Sequence, residues 1–274
     1  MEVLYGLHPV EEAVRSGARR LDQVMLARER RDARLERLAE MCHAAGVRVS
    51  LESKDQLTRM AKTDAHQGVL AVVRERAFLG IEDLLEAKRA GVVAGGEAHR
   101  FFLALDGIED PHNLGALLRT ADGAGVDGVV LPERRSAPVS ATVAKTSAGA
   151  SEHVRIARVT NLVRALEQMK QANVWVLGLD ERGSPDYTEF DFRTDCVLVL
   201  GREGAGLHDL VKKTCDHLLR VPMAGRLSSL NVSVAGAVVM YEAMRQRRRA
   251  AEPIAKAAES KKRDSGKPRK GLGS

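Results

Sequence analysis

Val197-Leu198-Val199-Leu200-Gly201-Arg202-Glu203-Gly204-Ala205-Gly206-Leu207 decides how this chain is read. Four apolar residues run without a polar break into three glycines. Such a run suits a strand buried on both faces of a parallel sheet. Glycines at its end let the backbone approach a ligand closely, whereas a plain turn into a helix needs only one. The spacing is Gly-x-x-Gly-x-Gly, unlike the Gly-x-Gly-x-x-Gly of dinucleotide sites, and no Lys-Ser/Thr follows as in a phosphate-binding loop. Nicotinamide chemistry and nucleoside triphosphate hydrolysis are both disfavoured.

On the N-terminal side lie further strand-like runs at Phe101–Leu105, Gly128–Leu131 and Val174–Leu179. Helical patterns separate the runs at about 113–124, 139–149, 160–172 and 206–214, and an apolar helix spans about Ser229 to Arg247. The alternation predicts an α/β domain over 99–249, with a mainly parallel sheet covered on both faces. Residues 1–76 form a smaller α/β unit. It has a helix near His8, strands at Leu21–Ala27, Val47–Leu51 and Gly68–Val73, and helices at Arg31–Ala45 and Asp55–Ala61. Residues 77–98 read as a linker, with a short helix Ile81–Arg89 and a Gly95-Gly96 join. In 250–274, Pro253, Gly266, Pro268 and Gly271 predict a basic, disordered tail.

Composition narrows the function classes. With 44% hydrophobic and 29% charged residues, the 274-residue chain reads as globular and soluble. No run approaches the roughly 20 apolar residues of a membrane span, and no signal peptide is evident, so no membrane partner is expected. Cys42, Cys196 and Cys215 are widely spaced, which disfavours a disulfide framework or a structural zinc; no metal is expected and a cytoplasmic location fits. The net charge of +6 is local: residues 245–274 carry 11 Lys and Arg against 3 Asp and Glu, whereas 77–244 carry 18 against 22. A basic tail suits a polyanion such as RNA, or serves solubility alone.

Three segments sit where ligands bind in parallel sheets, beyond the carboxyl ends of strands. The glycine segment is one. The second is Asp106-Gly107-Ile108-Glu109-Asp110-Pro111-His112-Asn113-Leu114-Gly115-Ala116-Leu117-Leu118-Arg119, where Asp110 and Asn113 can each cap the following helix. Arg119, nearly two turns on, can approach the same side as Asn113. The third is Val221-Pro222-Met223-Ala224-Gly225-Arg226-Leu227-Ser228-Ser229-Leu230-Asn231-Val232-Ser233. Ser228 or Ser229 is a good N-cap, and Asn231 and Ser233 are polar groups that need partners at an apolar helix start. Each segment alone is explicable as a turn or a cap.

Taken in order, Asn113…Arg119, Gly201-x-Glu203-Gly204 and Ser229-Leu230-Asn231 resemble the three-motif signature of the SpoU ribose 2′-O-methyltransferases, of the SPOUT class. The likeness spans about 99–247. The opening Leu4-Tyr5-Gly6-Leu7-His8-Pro9-Val10 resembles the L30e-like RNA-binding domain of ribosomal members. Within the family, the likeness is strongest to bacterial members that methylate a 23S rRNA guanosine in the peptidyl-transferase P loop. The resemblance implies a C-terminal trefoil knot, a homodimer with sites near the subunit interface, and S-adenosylmethionine as methyl donor. By that resemblance Gly201, Gly204, Val221, Met223 and Leu230 hold the cofactor, while Asn113, Arg119, Glu203, Ser229 and Asn231 serve catalysis. Knots are rare, so pattern reasoning would not reach one.

In the family, the residue matching Arg119 is proposed to help deprotonate the 2′-hydroxyl. A guanidinium pKa of roughly 12 or more argues instead for stabilising oxyanion charge or gripping a phosphate. Aromatic residues make up 3% of the chain, too few for a broad base-stacking platform, so RNA readout is expected from shape and phosphate contacts by the N-terminal unit. Arg134, Arg135 and Lys145 are candidates for additional phosphate contacts. The alternatives are a tRNA 2′-O-methyltransferase and a non-catalytic RNA-binding or ribosome-assembly protein.

Overall fold

The structure is a computed structural model that describes residues 1–30, 32–87 and 99–265, with side chains through residue 248. Two sheets organise it. The larger has six strands in the order β10-β8-β9-β5-β6-β7: β5 (Phe101–Leu105), β6 (Gly128–Pro132), β7 (Ile156–Val159), β8 (Trp175–Leu179), β9 (Cys196–Leu200) and β10 (His217–Leu219). Every pairing in it is parallel. All five residues of β5 and of β9 are buried, as central parallel strands demand.

Helices cover both faces. Leu103, Leu105, Leu198 and Leu200 pack with α5 (Pro111–Ala124) and α9 (Val232–Ser265), while Phe102, Ala104, Val197 and Val199 pack with α4 (Ile81–Glu86), α7 (Leu162–Gln171) and α8 (Asp209–Thr214). Alternate residues of one strand thus serve opposite layers. Asp110 starts α5 by accepting the His112 N–H at 3.0 Å, with Pro111 in the first turn, and Gly125 ends it in the left-handed region.

The smaller sheet runs β1-β4-β2-β3, from β1 (Glu2–Tyr5), β2 (Leu21–Ala27), β3 (Val49–Glu52) and β4 (Val69–Val73). Only β2 and β3 pair in parallel. Helices α1 (Leu7–Ser16) and α2 (Ala33–Ala44) cover one face and α3 (Lys54–Ala61) the other. This unit rests on the larger one at α6 (Ala141–Thr146) and the turn at 150–152. Ala144 enters its core, and Arg19 forks onto the buried Glu152 with bonds of 2.9 and 2.8 Å.

Three differences from the sequence reading stand out. Residues 79–87, expected within a linker, pack on the larger sheet: Ile81 and Leu84 are buried there, and Leu79 bonds to Ile156 and Arg158 beside β7. The Gly95-Gly96 join lies outside the described residues, as do Lys88 and Arg89. Helix α9 continues through Pro253 to Ser265, where a disordered tail was expected; the Ala residues on both sides of that proline and the Lys residues after it favour helix, against the proline's own cost. Residues 266–274 lie outside the described residues. Finally, α9 starts at Val232 rather than Ser229.

Candidate active site

The glycine segment leaves β9 and closes on itself. Arg202 and Gly206 exchange both backbone hydrogen bonds, at 3.0 and 2.8 Å, with Gly204 and Gly206 at φ 73° and 67°. Side chains are disfavoured at those angles. A Cβ on Gly201 would stand 2.3 Å from the Gly206 carbonyl carbon and 2.4 Å from the Leu207 nitrogen, so only glycine fits.

Beside this loop lies a cavity of about 380 Å³. Its walls are the loop, the end of β8 and the segment 221–230. Gly201, Glu203, Gly204, Val221, Met223, Ser229 and Leu230 all line it; Asn113, Arg119 and Asn231 do not. The volume suits a small organic ligand.

Asn113 and Asn231 reach the cavity through Glu203. The Asn231 amide donates to Glu203 Oε1 at 2.8 Å and to Asn113 Oδ1 at 3.1 Å, and the Asn113 amide donates to Glu203 Oε2 at 3.3 Å. Both carboxylate oxygens are therefore fixed by amide donors. Asn231 Oδ1 meanwhile accepts the Ser233 N–H at 2.9 Å and the Ser233 hydroxyl at 2.6 Å, so Asn231 caps α9. This corrects the expectation that Ser228 or Ser229 is the cap; both serines line the cavity instead. Asn113, a candidate cap of α5, is buried within the first turn, where Asp110 is the cap.

Two carboxylates were missed by the sequence reading. Asp180, directly after β8, lines the cavity and accepts from Lys212 Nζ at 2.7 Å and from the Arg182 N–H at 2.9 Å. Burial acts to raise its carboxyl, but these donors outweigh burial and hold it below the ordinary range. Asp106, directly after β5, is buried; it accepts the His208 N–H at 2.7 Å and lies 2.8 Å from His208 Nδ1, anchoring the far end of the glycine loop. Their position just past strand ends was the available signal.

Arg119 is exposed on α5 and makes no hydrogen bond or ion pair among the described residues. It is not brought to the cavity wall of its own chain. Lys145 ties the two units together: its ammonium donates to the Ala65 carbonyl at 2.5 Å and sits over the Tyr5 ring. Arg134 and Arg135 are exposed after β6. Among the described residues, no cluster of three or more His, Cys, Asp and Glu could hold a metal, and no helix is long and apolar enough to cross a membrane.

Residues 100–241 match the SpoU rRNA methylase family, and residues 3–79 match a domain described as RNA 2′-O ribose methyltransferase substrate binding. The 23S rRNA (guanosine-2′-O-)-methyltransferase RlmB of Ralstonia nicotianae is 41% identical over 247 residues, 90% of this chain and 96% of that protein. The RlmB of Pseudomonas aeruginosa is 43% identical over 251 residues, 90% and 97% of the two chains. Among solved structures, an AdoMet-bound rRNA methyltransferase from Sinorhizobium meliloti superposes with a TM-score of 0.71 at 27% identity, covering 89% of this chain and 87% of that one.

Proposed function

The chain belongs to the SpoU rRNA methylase family, and from that membership we propose that it methylates the ribose 2′-hydroxyl of a guanosine in 23S rRNA, with S-adenosylmethionine as donor. The observation that carries the reading is the Asn113–Glu203–Asn231 network closing one side of a glycine-walled cavity at the carboxyl ends of β8 and β9. A non-catalytic RNA-binding protein has no need of that cradle or that network.

S-adenosylmethionine supplies an electrophilic methyl group on a sulfonium. Gly201, Gly204, Val221, Met223 and Leu230 fit it as wall residues, with Gly201 giving the close backbone approach. The protein's task is then alignment of the attacking oxygen and removal of its proton. Glu203, held by two amides, and Ser229, also on the cavity wall, orient the ribose. Arg119 stabilises developing negative charge on the 2′-oxygen.

For Arg119 to act, a second copy must bring it to the cavity, and this supports a homodimer. The segment 224–231 beside the site is exposed, Leu227 and Leu230 with it, and Val234 and Tyr241 extend the exposed apolar surface along α9. Mixing Arg119→Ala with Glu203→Gln chains tests this: a shared site restores activity in mixed dimers, and no restoration overturns it. The route from β10, at the far sheet edge, back across the strand ends to α9 against α5 supports the trefoil knot. The cytoplasm is the compartment of this substrate.

Incubating the purified protein with methyl-labelled S-adenosylmethionine and unmethylated bacterial RNA tests the whole reading. Label on a 23S rRNA guanosine ribose is expected. Label on tRNA alone would overturn the substrate, and no label on any RNA would overturn the reaction.

A further inference from the structure

Three basic side chains line the cavity, and two have carboxylate partners. Lys212 pairs with Asp180 at 2.7 Å, and Arg182 lies 3.8 Å from Glu181. Arg202 has no carboxylate within ion-pair distance among the described residues, and its guanidinium donates to nothing there. The adjacent Glu203 does not serve it, since both its oxygens hold Asn113 and Asn231.

The stem of Arg202 is nevertheless seated. A Cβ on Gly107 would stand 2.6 Å from Arg202 Cγ and 2.9 Å from Cδ, so the bare backbone of Gly107, at φ +78°, is the bed on which the stem lies. Its anchor is the glycine loop, clasped by the Arg202–Gly206 hydrogen bonds and tied down at His208 by the buried Asp106. A guanidinium with five donors thus stands at the cavity wall on a fixed base.

This inference rests on the methyl-transfer reading. S-adenosylmethionine carries a sulfonium, an ammonium and a carboxylate; of the carboxylates on the cavity wall, Asp180, Glu181, Glu203 and Asp209, none pairs with Arg202 among the described residues. The unpaired guanidinium therefore calls for an anion from the substrate. The RNA brings one: in a polynucleotide the 3′-oxygen next to the reacting 2′-hydroxyl carries a phosphate. We propose that Arg202 binds this backbone phosphate of the RNA in a forked, two-bond contact and so positions the 2′-oxygen for attack.

The test uses the full chain, with Arg202→Gln and Arg202→Lys beside the wild type. Dissociation constants are measured for S-adenosylmethionine and, at several salt concentrations, for an unmethylated 23S rRNA transcript. With Arg202→Gln, transcript affinity should fall about tenfold, as loss of one charge-assisted contact implies. The log–log salt slope should shrink by about 0.7, as one lost single-strand phosphate contact implies, with cofactor affinity unchanged. Arg202→Lys should keep the salt slope and lose only part of the affinity. Weakened cofactor binding with unchanged transcript binding would assign Arg202 to the methionine carboxylate and overturn the proposal. Unchanged affinity for both overturns it, and so does loss of both in a variant with a wild-type thermal midpoint. A wild-type chain that binds no S-adenosylmethionine refutes the methyl-transfer reading instead.

Discussion

Replacing Glu152 with glutamine should cost this protein about 3–5 kcal/mol, the usual penalty for leaving a buried charge without its partner. The Glu152 side chain is fully buried, between Arg19 and Arg76 of the N-terminal unit. Arg19 donates to its two oxygens at 2.9 and 2.8 Å and also pairs with Glu2. Arg76 lies 3.2 Å away, yet its Nε and Nη2 are buried without a hydrogen bond. Burial acts to raise the Glu152 carboxyl, but the two guanidiniums outweigh burial and hold it below its ordinary 4.5. Its stabilisation is therefore complete above about pH 4.5 and is lost as the pH falls further, so the cost of the substitution should shrink in acid. For a chain of this size the loss lowers the melting temperature by roughly 10 °C. Because Arg19 and Glu152 join the two units, the loss can also appear as undocking. Urea unfolding by circular dichroism should be paired with the radius of gyration from small-angle scattering. An unchanged midpoint together with an unchanged radius would refute the reasoning. Arg76→Met supplies the contrast: removing the poorly bonded cation should be near neutral or stabilising, because the Arg19 fork survives.

Asn231→Asp keeps an oxygen to cap α9 but sets a second carboxylate against Glu203; methylation should fall about 100-fold, as misplaced reacting groups imply, with helix content unchanged by circular dichroism. Near-normal turnover would remove the amide donors from the mechanism. Gly201→Ala forces the loop from Gly206 and Leu207, so calorimetry should show S-adenosylmethionine affinity reduced by at least about tenfold, the equivalent of roughly 1.4 kcal/mol. Burial pushes the Cys42 thiol up to about 11 and those of Cys196 and Cys215 up to about 12. In the folded protein at pH 8 they should react slowly with Ellman's reagent, and all three promptly in urea; fast native labelling would contradict that burial.

The fold was legible where the strands are buried on both faces. Phe101–Leu105 and Val197–Leu200 carry no polar residue, so their apolar runs announce central parallel strands. The strands that escaped are β1, β7 and β10. β7 has four residues with Arg158 facing solvent, and β10 has three at the sheet edge, one of them a histidine. Strands so short leave no period to detect. At the site, residues from all three segments could be named, but their geometry could not. Glu203 lies 90 residues after Asn113 and 28 before Asn231, and only the adjacency of β5 and β9 brings the segments together. Arg119 was expected beside Asn113 because both lie on α5; helical phase instead turns it to solvent. Asp180 went unnoticed because a carboxylate after a strand reads as a turn until Lys212 is seen across from it.

The structure also explains why the third segment reads equally well as a helix cap and as a catalytic string. At Asn231 it is both. A capping residue needs an acceptor for the first N–H groups of α9, which serine and aspartate supply as well as asparagine does. Fixing Glu203 needs a donor from the same side chain, and a carboxylate has none. Serine has a hydroxyl proton but too short a reach to meet Glu203 and Asn113 while facing the backbone of Ser233. Asparagine alone of the common caps presents an acceptor to the helix and two amide protons to the site. The start of α9 is therefore set by the same residue that orients the carboxylate, and a shift of one is a shift of the other. That coupling gives the exposed segment 224–230 a fixed end beside the cavity, which a loop capped by Ser229 would not have.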